Sequence, residues 1–408
     1  MKNFLLYTIV LVCTLLIACS NSNDDNRTSG SKTDEALTIL TPVSVTKSNK
    51  MKVFAHYMPW FETPATNGGK WGQHWTMANC NPNIIDSNGK RQIASHYYPL
   101  TGPYASSDST ILDYQCLLMK YSGIDGVMID WYGTQNKYDY ASNKTNTEAI
   151  VKSIIKAGMQ FAIVYEDNTL KDMDNKVSQA RQDMQYLSTT FFKSDNYVKI
   201  SGKPLLMIFG PQQIDSPKDW NSVFSILSTK PGFIVLNGHS SKANDDTYKN
   251  SEGEFLWVNA KPDYSSANKY NMYIAGAMPG FYDYYKLGGW GNGYTTYDAE
   301  NGALFDRQLA AARNANMEWL QISTWNDYGE GTIIEPTQEF GYIYLTSLQA
   351  FTGVSYQQTN LEMIYKWYQL KMKYANNSNE MRKLKQCYYY FISLQPEKAN
   401  LIINELQQ

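Results

Sequence analysis

Near the end of the chain, the thirteen residues WNDYGEGTIIEPT, Trp325 to Thr337, hold three carboxylates, two glycines and a proline directly behind an apolar run. If Trp319 to Trp325 is extended, Asp327 and Glu330 stand three apart, and continued strand geometry would send them to opposite faces. Gly329 and Gly331 let the chain bend there, because glycine reaches backbone angles closed to other residues. The two carboxyls can then converge on one cavity. Paired acids are what cleavage of a glycosidic bond requires: one carboxyl protonates the leaving oxygen, while the other assists attack at the anomeric carbon or activates the group that attacks. Burial and mutual repulsion push two such pKa values apart and leave one acid protonated near neutral pH. The same spacing is common on solvated turns, so its meaning depends on the elements that place it. The third acid, Glu335, precedes Pro336 and is expected to cap or pair locally, outside the chemistry.

Eight short apolar, β-prone runs recur along the chain, at 51–61, 123–133, 159–168, 203–211, 232–240, 254–260, 271–281 and 318–331. Stretches of helical character separate most of them: 109–122, 146–158, 175–192, 216–228 and 299–316, the last with Ala303, Leu304, Leu309 and Ala312 at helical intervals. Between the sixth and seventh runs, KPDYSSANKY reads as a loop. Continuous rather than alternating apolar strands imply burial on both faces, and regular helical separation implies parallel crossovers. The fold class expected is α/β, a (β/α)₈ TIM barrel. A doubly wound sheet has the same local pattern. The barrel is preferred because the unusual residues cluster at the carboxyl ends of the strands, where a barrel gathers all eight ends on one rim. Residues 354–408 read as a helical extension packed on a barrel spanning 51–353.

Charged residues are 18% of the chain and the formal net charge is -2, so no basic surface is offered to nucleic acid. Thirty-two Tyr and ten Trp suit both core packing and the stacking of sugar rings. The N-terminus carries one Lys and then an apolar run, Phe4 to Ala18, too short for a comfortable membrane span and built like a secretory signal peptide. Leu16-Ile17-Ala18-Cys19 resembles the lipobox of bacterial lipoproteins, with Cys19 as the lipidated first residue of the mature chain. Residues 1–19 are thus expected to be a lipoprotein signal peptide, and 20–50 a flexible polar tether. The expected location is the outer membrane, on its periplasmic face or at the cell surface. Cys80, Cys116 and Cys387 are too scattered for a disulfide framework, and no two His have the spacing of a zinc hydrolase. No metal or other cofactor is expected, and the chain is expected to act as a monomer.

STWNDYGEG resembles the motif of two similar groups of (β/α)₈ enzymes: glycoside hydrolase family 71, the α-1,3-glucanases, and family 99, the endo-α-mannosidases and endo-α-mannanases. HYMPWF, GVMIDWYG, FAIVYED and AMPGFYD are similar to family 99 in the same chain order, covering roughly residues 51 to 350. The resemblance implies that Asp327 is the base and Glu330 the general acid. Family 99 carries Glu at the first position, where it draws the proton from the sugar 2-hydroxyl. Asp327 is one methylene shorter, and the Asp and Glu pair is that of family 71, for which inversion is expected. By the same resemblance Glu166 lines the substrate cleft, although a strand-end carboxylate held by a neighbouring amide fits the sequence too. Trp131 and Tyr132 are candidates for the floor of a sugar subsite, and Asp130 for a sugar hydroxyl or a structural hydrogen bond. Tyr57, Trp60 and Tyr282 are further cleft candidates, whereas His56 and His239 read as packing groups. The expectation is an exported, lipid-anchored hydrolase cutting an α-linked oligosaccharide or polysaccharide, α-mannan or α-1,3-glucan, in endo fashion. A glycan-binding lipoprotein that has lost the chemistry is the alternative.

Overall fold

The computed structural model describes residues 37–408; Cys19 and the tether up to residue 36 lie outside the described residues, whereas residues 38–50, expected as tether, pack on the folded unit, Asn49 N donating to the Thr352 carbonyl at 3.1 Å and Lys47 Nζ to Asp125. Nine strands follow in chain order: β1 (Lys52–Tyr57), β2 (Gly126–Trp131), β3 (Gln160–Tyr165), β4 (Lys199–Ile200), β5 (Lys203–Ile208), β6 (Gly232–Leu236), β7 (Ser251–Phe255), β8 (Met272–Ala277) and β9 (Trp319–Ile322). The two-residue β4 is antiparallel to β5, and the other eight are parallel to their neighbours. Their order is β3-β2-β1-β9-β8-β7-β6-β5, and β5 pairs back onto β3 with Leu206 opposite Ile163, so the sheet closes. This is the (β/α)₈ barrel.

Side-chain alternation divides the strands between two cores. Phe54, Met128, Ala162, Val164, Met207 and Ile274 point inward and plug the barrel. Val53, Ala55, Val127, Ile129, Phe161 and Ile163 point outward against the helices. At Gly126 a Cβ would lie 1.9 Å from the Gln160 carbonyl oxygen and 2.9 Å from the Phe54 ring, so only glycine lets the strands approach there.

The helices start and stop on local signals. Asp108 caps helix Ser109–Tyr121 by accepting from Thr110 N at 2.7 Å, and Gly158, left-handed at φ 68, ends helix Tyr140–Ala157. Helix Lys176–Thr190 begins at Asn175, and helix Pro217–Phe224 at Ser216 with Pro in its first turn. The helix expected from 299 begins at Ala303, because Asn301 and Gly302 adopt φ 51 and 95. The sixth run also shifts, its strand being Ser251–Phe255 rather than 254–260. Helix Ile343–Thr352 follows the carboxylate turn and was not marked by the sequence pattern. Helices Gln358–Lys373, Ser378–Ile392 and Pro396–Gln407 complete the chain.

Candidate active site

One step further along each strand from the apolar plug, the inward positions turn polar. On β1 Phe54 is followed by His56 and on β2 Met128 by Asp130, while just past β3 the next inward position after Val164 is Glu166. These residues floor a cleft of about 540 Å³ at the carboxyl ends of the strands, and Asp327 and Glu330 enter it from the turn after β9.

That turn is held by its own hydrogen bonds. Thr324 Oγ1 accepts from Asp327 N at 2.7 Å, and Asp327 Oδ1 accepts from Glu330 N at 3.0 Å. The carbonyl of Glu330 accepts from Tyr282 N at 2.9 Å, which ties the turn to the loop after β8. Gly331 is left-handed at φ 68, and a Cβ on it would lie 2.6 Å from the Tyr282 carbonyl oxygen. Gly329 is needed for space instead, since its Cβ would press on Met77 Cε at 3.2 Å and Asp327 Oδ1 at 3.4 Å. Both acids therefore face one cavity.

Their protonation differs by environment. Burial pushes Asp327 up to about 6, while the amide of Glu330 and the charge of His74 pull the other way. Glu330 is raised well above the usual carboxylate range, first by burial and then by the charge of Asp327. The Tyr285 hydroxyl donates to Glu330 Oε1 at 3.2 Å, and Oε2 is buried without a protein partner. Asp130 is pushed up to about 8 by burial and by the charges of Asp327 and Asp139. Glu166 is raised by burial and then by Asp130 and Asp167, and its Oε1 accepts from Asn168 N and Gln212 Nε2, both at 3.3 Å. Burial lowers His56 to about 4, so its imidazole, 3.2 Å from Gln321 Oε1, is neutral.

Trp60, Asp130, Tyr132, Glu166, Asp327 and Glu330 thus share the cleft. Three other candidates do not. Trp131 is the outward neighbour of Asp130, fully buried and stacked on Tyr186 at 5.7 Å. Tyr57 is the outward neighbour of His56, and its hydroxyl donates to Gln115 Oε1 at 2.8 Å behind the barrel wall. Both corrections follow from the period-two alternation of a strand. Tyr282 turns its ring onto His96, 3.6 Å between centroids, and serves the site only through its backbone. Glu335 lies outside the cleft, accepting from the hydroxyls of Tyr104 and Tyr328, each at 2.8 Å, and from Gln115 Nε2 at 2.6 Å.

The sequence reading missed several lining residues. Tyr285 lies three residues past Tyr282 in GFYDYYK, and Trp257 follows β7, so the rule that aromatics gather at strand ends could have found both. Gln73 and His74 sit on a four-residue helix in the long connection after β1, where no periodic signal exists. Asp167 is buried beneath the cleft and accepts from the backbone N–H groups of Gln212, Gln213 and Ile214 at 2.8 to 3.0 Å, fixing the loop that carries Gln212.

The model of glycosyl hydrolase family 99 matches residues 48–231, a segment that ends ahead of the carboxylate turn. A glycoprotein endo-alpha-1,2-mannosidase-like protein of Mus musculus is 24% identical over 318 residues, 69% of this chain and 68% of its own. Glycoprotein endo-alpha-1,2-mannosidase of Mus musculus is 25% identical over 335 residues, 71% of this chain and 70% of its own. Among solved structures, the GH99 endo-alpha-mannosidase from Bacteroides thetaiotaomicron superposes with a TM-score of 0.60 at 20% identity, over 75% of this chain and 97% of that one, which shows the shared barrel. The grouping with family 71 rests on the Asp327 and Glu330 pair alone. The chain is a glycoside hydrolase, similar over residues 48–231 to family 99.

Proposed function

We propose that the cleft cuts α-linked mannan-type glycans in endo fashion, with Glu330 as general acid and Asp327 as base. The observation that carries this reading is the turn itself, in which Glu330 N donates to Asp327 Oδ1 while both carboxyls line one cleft. Glu330, holding its proton, donates it to the glycosidic oxygen as the C1–O bond breaks. Asp327, ionised, takes a proton from the oxygen that attacks C1, and exchange with water restores both acids. The names of the relatives favour mannose over glucose as the sugar. The lining has five carboxylates, Asp130, Asp139, Glu166, Asp327 and Glu330, and no Lys or Arg among the described lining residues. That balance favours uncharged chains, because an anionic substituent would meet the charges of Asp139 and Asp327 with no Lys or Arg to answer it. Export through the N-terminal apolar run and lipidation at Cys19 belong to the same reading, supported by the lipobox-like sequence; Cys19→Ser should move the protein out of the membrane fraction.

An NMR time course of products from α-mannan and α-1,3-glucan tests the substrate. Oligosaccharides are expected from the mannan; release from the glucan alone would overturn the assignment. Glu330→Gln should lower hydrolysis by about a thousandfold while the protein stays folded. A phosphorylated mannan should be cut at least about tenfold more slowly than the neutral polymer.

A further inference from the structure

His74 is the one basic side chain besides neutral His56 among the described residues lining the cleft, and the reaction as derived does not use it. Its Nε2 lies 3.0 Å from Asp139 Oδ2. Its ring lies flat on Trp60, with centroids 4.3 Å and planes 7° apart, and Trp290 meets it edge-on at 5.7 Å. The imidazole is thus clamped between the loops after β1, β2 and β8, with 13% of its side chain exposed. A clamp of this kind could be purely structural. What marks it as more is its company: an imidazole is held, by an acid and an aromatic face that both favour positive charge, at the wall of a carboxylate cavity.

We propose that His74 is a positioning residue for hydrolysis, its imidazolium being the counter-charge that keeps Asp327 ionised and able to act as base. The proposal rests on the reading of Asp327 given above. Asp139, from the loop after β2, is bonded to the ring, and Asp327, from the turn after β9, lines the same cleft with Asp130, Glu166 and Glu330. Trp60, Phe61 and Trp290 meet the ring without charge. The pair is oriented. Its positive member, His74, pulls Asp327 down against burial, whereas its negative member, Asp139, helps burial to push Asp130 up. One dyad therefore separates the proton affinities of two neighbouring carboxyls, favouring an ionised Asp327 beside a protonated Asp130.

The test is the pH profile of kcat/KM on a neutral α-manno-oligosaccharide for the wild-type protein, His74→Gln and His74→Lys. In His74→Gln the acid limb should move up by about one pH unit, and His74→Lys, which keeps the charge, should bring it back. A uniform fall in kcat/KM at all pH values with the limb unmoved would show a loop clamp only and overturn the proposal. If His74→Gln turns over too slowly to profile, a ¹³C NMR titration of the Asp327 carboxyl in the folded variant reads the same shift directly. Asp327→Asn serves as the separate control: full activity there would remove the base assignment itself, whatever His74 does.

Discussion

Asp327 and Glu330 share one turn and must hold different protons at the same pH. Since Asp327 stands at about 6 and Glu330 well above its usual range, kcat/KM should climb as pH rises through about 6 and fall again when Glu330 ionises. The Tyr285 hydroxyl favours the charged form of Glu330, so Tyr285→Phe should move the alkaline limb to higher pH, by about half a unit to one unit, and leave the acid limb in place. Asp130 has the opposite kind of consequence, one for stability. Its folded pKa of about 8 lies above the unfolded value, so the unfolded chain releases this proton first, and stability is lost as pH rises from the ordinary carboxylate range toward 8. Asp130→Asn should stabilise the protein by about 1 to 2 kcal/mol at pH 8 and by less at pH 5, which urea unfolding at the two pH values would measure. At this scale the sequence was informative about acids and less so about aromatics. A carboxylate after a strand is costly anywhere but in a polar cavity, which is why Asp130 and Glu166 were legible. A Trp or Tyr is content on either face, and only counting the alternation would have separated Trp131 and Tyr57 from their inward neighbours.

Elements place these residues through the ends of strands rather than through the strands themselves. β9 is extended only over Trp319–Ile322, and the following residues curl back so that Ile334 N reaches the Thr324 carbonyl at 3.2 Å. The bend at Gly331 is the step most exposed to substitution. Any side chain there adopts φ 68 at a steric cost and meets the Tyr282 carbonyl, so Gly331→Ala should cost about 1 to 3 kcal/mol in thermal or urea unfolding. Because Gly331 is adjacent to Glu330, turnover should fall further than stability does; an unchanged kcat would mean that the turn can relax without moving the acid. The expected role of glycine was half legible. Two glycines flanking an acid pointed to a bend, yet only Gly331 supplies a left-handed angle, and Gly329 makes room for Met77 instead. The strands were read within a few residues because their apolar runs are bounded by polar ones. Helix Ile343–Thr352 was not, since it comes directly after an irregular stretch with no separate run to announce it.

At the scale of the whole molecule, closure of the barrel was legible from eight runs and from the gathering of unusual residues at their ends, and the last three helices were read as an extension packed on it; how far they share its core was not legible. The sequence divides them off at 354, but residues Thr38–Gln408 form one compact unit. The Tyr121 hydroxyl, on the helix after β1, donates to the Phe391 carbonyl at 3.1 Å, and Val43 N donates to the Ile392 carbonyl at 2.9 Å. Leu361, Ile364 and Trp367 are fully buried in the same core as Leu117 and Ile154. Removing the segment after residue 357 would uncover that apolar face, which water does not tolerate at such size. We therefore expect the full chain to unfold in urea as a single transition, with tryptophan fluorescence and far-UV circular dichroism superimposable. Trp367→Ala, which deletes a buried ring whose Nε1 donates to the Leu384 carbonyl at 2.8 Å, should lower the stability of the whole barrel by about 3 to 5 kcal/mol, and the cleft should lose activity at the same urea concentration. If the helices instead melt in an earlier step that leaves hydrolysis untouched, they are an appendage, and the barrel needs only residues up to Gly353.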